Sequence, residues 1–152
     1  MHLGKLAAYL RMFGFDCDYS NNRQDEQLVA ISIADKRILL TRDTALLKRK
    51  AVTHGYFIHE INPRRQVVEV MKRLDLFSAI HPFQRCLRCN GVLLASASGE
   101  KVAGLIPPDV LSRYAEFFQC QDCARVYWKG THYQRMVTFI DNILETERNQ
   151  VK

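Results

Sequence analysis

The sequence predicts an α/β fold, a parallel sheet covered by helices, followed by a small second part stapled through cysteines. Three observations predict it. Short continuous apolar runs alternate with helix-period segments from residue 3 to residue 76. Two Cys-x-x-Cys pairs, Cys86 with Cys89 and Cys120 with Cys123, both lie after residue 80. Apolar residues make up 47% of the 152, and the formal charge is +6, which excludes a disordered tail and suits one modest core plus an appendage. No apolar run is long enough to span a membrane, and the amphipathic N-terminus lacks the apolar stretch and cleavage site of a signal peptide. A soluble, cytoplasmic protein is expected.

Leu3, Leu6, Ala7, Leu10 and Phe13 recur at helical spacing and Gly14 stops them, so the chain opens on a helix. Residues 15–19 read as a short strand. Ser20-Asn21-Asn22 is a turn signal, and Asp25-Glu26-Gln27 leads into a second helix with acidic residues in its first turn. Residues 37–41 form a run too short and too apolar for anything but a buried strand. Asp43 and Thr44 begin a third helix to about Val52, residues 55–61 read as another strand, and Pro63 starts a fourth helix to about Leu76. This order lacks a strand ahead of the first helix, where one wall of a ligand crevice commonly stands.

After residue 80 the pattern changes. Residues 83–94 carry the first cysteine pair in a hairpin-like stretch, residues 96–104 are loop-like, and Pro107-Pro108-Asp109 starts a short helix. Residues 117–128 hold the second pair in another hairpin, and a closing amphipathic helix covers residues 132–145. The division is therefore 1–80 and 81–152.

Each Cys-x-x-Cys turn places two thiolates on one side of a metal ion, and two turns complete a tetrahedral shell. In a cytoplasmic chain the pattern favours a metal over disulfides, and four filled positions make a zinc ion structural. A rubredoxin-like iron centre, and with it a redox module, is the rival. Asn90-Gly91 supports the first knuckle because a positive φ is often needed there, and Ala124 at the matching place is less permissive. Cys17, beside an apolar run, reads as a buried thiol.

Residues 1–80 hold thirteen Lys or Arg against nine Asp or Glu, and residues 81–152 hold nine against seven, so the halves carry +4 and +2. A zinc tetrathiolate of charge −2 cancels the second, leaving the basic surface mainly to the first half. Lys48-Arg49-Lys50, Arg64-Arg65 and Lys72-Arg73 suit phosphate backbones, or are solvated helix faces. Asp25 or Glu26 at one helix start, and Asp43 just after a strand, lie at the sheet edge where a crevice is expected. Carboxylates converging there can hold magnesium or manganese and activate water beside a phosphate; taken singly, each is a helix cap.

At this point a family is recognisable. His2-Leu-Gly-Lys-Leu with residues 10–16, Asp25-Glu-Gln-Leu28, Ile38-Leu-Leu-Thr-Arg-Asp43, residues 83–91 and residues 120–132 resemble the Mut-seven C-terminal RNase family, from residue 2 to about 136. The resemblance implies a PIN-like nuclease domain over residues 1–80 joined to a zinc ribbon with its closing helix over residues 81–152. It implies metal-dependent hydrolysis of RNA phosphodiesters, with Asp25 and Asp43 at the family's acidic positions, Thr41 and Arg42 flanking the motif, and Lys5 beside the substrate path. It also implies a strand ending in an aspartate just ahead of the first helix. That strand is expected to lie upstream of Met1, through a misplaced start or a trimmed chain, and feeble cleavage is expected without it.

Arg125, Lys129 and His132, with Tyr127 and Trp128, are candidates for stacking on bases and pairing with phosphates of single-stranded RNA. The competing reading has Tyr127 and Trp128 packing the ribbon against the first domain, and His132 capping or packing a helix rather than acting as a general acid. The alternative to an enzyme is a non-catalytic RNA-binding or protein-binding zinc-ribbon protein.

Overall fold

The computed structural model describes residues 3–96 and 99–151, the side chains of residues 96, 100 and 151 apart. The fold is mixed α/β, with six helices and two small sheets among the described residues, and the chain forms two compact units. One comprises the chain up to Ala7 with Asp18–Leu76; the other comprises Ala8–Cys17 with the chain from Phe77 onward. Helix α1 (Gly4–Met12) contributes to both.

In the first unit, α2 (Asp25–Ala34) begins on a reciprocal cap: the Gln24 N–H donates to Gln27 Oε1 at 2.8 Å. Strand β1 (Leu39–Thr41) pairs in parallel with β2 (Gly55–Phe57), and α3 (Thr44–Leu47) lies between them in sequence. Val29, Leu39 and Leu46 form the core here, with Leu28 and Val52 packed against it. Helix α4 (Pro63–Arg73) starts on an Asn62 cap with Pro63 at its first position, and buries Val67, Val70 and Met71.

Several elements differ from the sequence expectation. Residues 15–19 are not a strand. Their backbone donors go elsewhere: Phe15 N–H to Leu10 O at the end of α1, and Cys17 N–H to the Asn90 side chain at 3.0 Å. The strand expected over 37–41 starts at Leu39, because Arg37 N–H still closes the turn after α2 onto Ser32 O, with Lys36 at φ 53°. Helix α3 is a single turn ending at Leu47, since Arg49 and Val52 close tight turns onto Leu46 O and Arg49 O. The strand expected over 55–61 stops at Phe57: the carbonyls of Ile58, His59 and Glu60 accept instead from Arg42 Nη1, at 2.6, 2.9 and 3.0 Å. Helix α4 ends at Arg73, short of Leu76, with Asp75 at φ 54°.

The second unit carries a three-stranded antiparallel sheet, β3 (Leu93–Ser96), β4 (Phe117–Cys120) and β5 (Val126–Tyr127), in that order. The hairpin expected over 83–94 is present as an Arg85–Val92 bridge, and that over 117–128 as β4 and β5. Of residues 96–104, Ser96 ends β3, 97 and 98 lie outside the described residues, and Gly99–Val102 form a 3₁₀ turn. Helix α5 (Pro108–Arg113) follows, and the closing helix α6 (Thr131–Val151) buries Met136, Ile140 and Ile143 at the i, i+4, i+7 spacing of one face. Phe139 meets the rings of Tyr9 and Phe13 at 5.0 and 5.8 Å. Trp128 packs with Val110, Leu111, Tyr114 and Val126 on a cluster of Val102, Ile106 and Phe117, all within this unit, so its indole is a packing group here. Among the described residues no helix is long and apolar enough to cross a membrane.

Candidate functional site

The four paired cysteines converge. Their sulfurs all lie within 4.8 Å of one another, with Cys86 to Cys123 at 3.7 Å and Cys89 to Cys120 at 3.4 Å. A tetrahedral ion with Zn–S bonds of about 2.3 Å places its sulfurs about 3.8 Å apart, so the donor set fits a closed site of this kind. Each knuckle is built the same way. Cys86 N–H donates to Gly91 O and Asn90 N–H returns to Cys86 O; Cys120 N–H donates to Arg125 O and Ala124 N–H returns to Cys120 O. Asn90 and Ala124 hold φ of 70° and 65°, so alanine here occupies the left-handed region that asparagine tolerates better. Backbone N–H groups then face the sulfurs, Gly91 toward Cys89 at 3.4 Å and Asp122 toward Cys120 at 3.4 Å.

Gly91 is required for a reason other than φ. A Cβ built there falls 2.6 Å from Cys120 Sγ and 2.8 Å from an Asp122 carboxylate oxygen. Gly91→Ala is therefore expected to displace one sulfur and to lower metal affinity by about tenfold or more, read by competition with a chromogenic chelator.

Cys86 and Cys89 titrate unequally. Burial raises Cys86, but the Tyr127 hydroxyl at 3.1 Å, the N–H groups of Cys89 and Arg88, and the Cys123 thiol overcome it and bring the group down to about 7. Lost hydration and the neighbouring thiols of Cys120, Cys123 and Cys86 push Cys89 up to about 12, against the Gly91 N–H. Four sulfurs this close cannot all ionise unless a cation joins them, so binding a metal releases protons. The Tyr127 oxygen also accepts from Leu87 N–H at 3.2 Å, which leaves its own proton for Cys86.

The first knuckle rests on a buried cation. Arg11 is 5% exposed and donates to Cys17 O at 2.9 Å, Leu87 O at 3.1 Å and Arg88 O at 3.2 Å. Asn90 adds a bond from its Nδ2 to Asp16 Oδ1 at 2.7 Å. Cys17, expected as a buried thiol, is half-buried.

The carboxylates are placed differently. Asp43 caps α3, its Oδ1 accepting from Ala45 and Leu46 N–H at 2.9 and 3.4 Å, and Thr41 Oγ1 accepts from the Asp43 N–H. Asp25 and Glu26 face Arg49 at 3.5 and 3.3 Å, beyond the other end of α3. The Glu26 carboxyl is held below its ordinary range by its own backbone N–H at the start of α2 and by Arg49. Among the described residues, Asp25, Glu26 and Asp43 do not form a three-ligand group; the four cysteines do.

Of the cationic candidates, Lys5 is exposed and borders a cleft of about 420 Å³ with Tyr19, Asn21, Ile61 and Gln66. Arg42 lies 5.6 Å over the Phe57 ring with one nitrogen bound to three carbonyls. Lys129 pairs with Glu116 at 3.1 Å and sits 5.8 Å over the Tyr133 ring. Arg125 and His132 are exposed, and His132 borders a cavity of only about 30 Å³.

A family model described as the Mut7-C RNAse domain matches residues 1–140. The chain belongs to that family. No curated protein and no solved structure matches it. Mut7-C membership gives this chain a nuclease-like or RNA-related role, and the four cysteines give it a metal site that zinc fits.

In this Mut7-C chain the Thr-Arg-Asp motif is used locally: Thr41 and Asp43 shape the turn into α3, and Arg42 ties residues 58–60. Sequence reading overlooked what those tied residues present. Glu69 on α4 accepts at Oε1 from the Tyr56 hydroxyl (2.9 Å), the His59 N–H (2.8 Å) and His59 Nδ1 (2.8 Å), and at Oε2 from the Glu60 N–H (2.9 Å). Burial raises this carboxyl, yet the donors from Glu60, His59 and Tyr56 outweigh it and lower it. A glutamate on a basic helix ten residues from a histidine has no local signature, so nothing in the sequence marked the pair.

Proposed function

We propose that this chain is a metal-dependent ribonuclease that hydrolyses RNA phosphodiester bonds, with a preference for single strands. The observation that carries the reading is the Mut7-C RNAse domain match, which runs through both units. The +6 charge suits a polyanionic substrate, and Lys5 at the border of a cleft suits a phosphate contact. Asp43, Asp25 and Glu26 are the candidates for holding magnesium or manganese. Such an ion keeps several waters and asks the protein for only one or two carboxylates. When bound it supplies an activated water and neutralises phosphate charge. Thr41 and Arg42 hold the motif in place, and Arg125, Lys129 and His132 are proposed as contacts for the strand. Residues 1–80 are proposed as the PIN-like nuclease part and residues 81–152 as the zinc ribbon. We place the protein in the cytoplasm, where reducing conditions keep four thiols available to zinc.

A non-catalytic RNA binder is the second reading. Its support is that each candidate carboxylate has a structural task, Asp43 as a cap and Asp25 and Glu26 as partners of Arg49. Asp43→Asn separates the two, because asparagine caps a helix as well as aspartate but carries no charge. On labelled single-stranded RNA with manganese, the parent is expected to cleave and Asp43→Asn to be slower by about 100-fold, with unchanged thermal stability. Equal cleavage by the two removes Asp43 from the chemistry. RNA retained but uncut by the parent supports the binder.

A further inference from the structure

The carboxylate of Glu69 does more than close a turn. Its side chain is 13% exposed, while that of the His59 it holds is 68% exposed. An ionised carboxylate only accepts, so Nδ1 of His59 is the donor and Nε2 carries the lone pair of the neutral ring. The imidazole is thus fixed in tautomer and direction at Nδ1. Two rings meet it edge-on, Phe57 at 5.1 Å and Tyr56 at 5.9 Å. Each of those rings has a guanidinium over it, Arg42 at 5.6 Å from the Phe57 centroid and Arg73 at 5.5 Å from the Tyr56 centroid. An oriented imidazole against two rings that each carry a guanidinium offers what a phosphodiester with a neighbouring hydroxyl requires: a proton acceptor with positive charge in its surroundings.

We propose that His59, positioned by Glu69, forms a second ribonuclease site that needs neither magnesium nor manganese and cleaves RNA by internal transfer. Nε2 of His59 takes the proton of a ribose 2′-hydroxyl, and the 2′-oxygen forms a bond to the adjacent phosphorus. The bond from phosphorus to the 5′-oxygen breaks. The leaving oxygen takes a proton from water, and the imidazolium returns its own to the hydroxide left behind. The products are a 2′,3′-cyclic phosphate and a 5′-hydroxyl end, with no co-reactant consumed. The nucleophile belongs to the substrate, so the protein supplies only the base, its orientation and charge for the phosphate, and effective molarity supplies much of the rate. Arg42 and Arg73 are the phosphate partners, and Glu69 is the positioning residue. This shares with the preceding proposal only the choice of RNA as substrate.

The test uses the full zinc-loaded chain in buffer freed of magnesium and manganese without a zinc chelator, acting on single-stranded RNA oligonucleotides. The expected products carry cyclic-phosphate ends, and a 2′-deoxy sugar at the scissile position stops the reaction. His59→Ala is expected to slow it by about 100-fold or more, with partial recovery on adding imidazole. Glu69→Gln is expected to lower kcat by about tenfold with little change in KM. His54→Ala, another exposed histidine, is the unchanged control. The proposal is overturned by cleavage that survives His59→Ala, by products ending in 5′-phosphate, or by no cleavage without added magnesium or manganese. In that last case, manganese-dependent cleavage lost in Asp43→Asn still stands for the other reading.

Discussion

Cys86→Ser is expected to abolish stoichiometric zinc binding and, with it, the amide protection of the three-stranded sheet. Cys86 and Cys120 are buried and form a core cluster with Leu93, against which Phe83, Phe118 and Tyr127 pack. The candidate metal site is thus built into one of the hydrophobic clusters of this unit. Structural zinc in small domains contributes apparent binding free energies of about 10–16 kcal/mol, comparable to or above the whole stability of a typical domain. Serine cannot replace a thiolate, and the remaining sulfurs repel one another once ionised. Native mass spectrometry reads the loss of one zinc per chain. Hydrogen exchange reads the sheet at Cys120 N–H and Gln121 N–H, which donate to Arg125 O and Val92 O. Full protection in a metal-free variant would show that packing alone holds the ribbon. Since each ligand must shed its proton to bind, with Cys89 up at about 12, zinc affinity is expected to fall as the pH is lowered.

Arg11→Met is expected to destabilise the second unit by about 3 kcal/mol or more. Methionine preserves much of the volume, so the loss is not a cavity effect. It arises because the carbonyls of Cys17, Leu87 and Arg88 lose a charged donor in a part-buried setting, at about 1–3 kcal/mol for each group left unmet. Equilibrium unfolding in urea measures it. Arg11→Lys is expected to recover little, since one ammonium cannot present the forked geometry that reaches three oxygens. A change below about 1 kcal/mol would mean that water replaces the guanidinium at those carbonyls.

The four candidate metal ligands were legible because their signature is local. Two cysteines three apart, twice, in a chain with one other cysteine, leave little choice of donor set. The helices were legible for a similar reason: Pro63 after Asn62 and Asp25-Glu26 after Gln24 are start signals contained within a few residues. Strand limits were not. Residues 15–19 look like a strand by composition, but whether a run pairs depends on a partner, and Cys17 found one in the side chain of Asn90, 73 residues away. The same reason shortened the strand after Gly55, where Arg42 took the carbonyls a neighbouring strand would have used.

The candidate site divides along this line. Asp43 as a cap followed from its place before a short helix, whereas the pairing of Asp25 and Glu26 with Arg49, 24 and 23 positions on, did not. The pattern of apolar spacing, caps and cysteine pairs, each an interaction over a few positions, settled on its own which segments are helices and which atoms could hold a metal. Folding in three dimensions decided the rest: Arg11 beneath a knuckle 76 positions away, and a histidine aimed by a glutamate on another element. Those contacts are bonds between side chains and groups remote along the chain, and their energy exists only once the backbone has brought both partners out of water together.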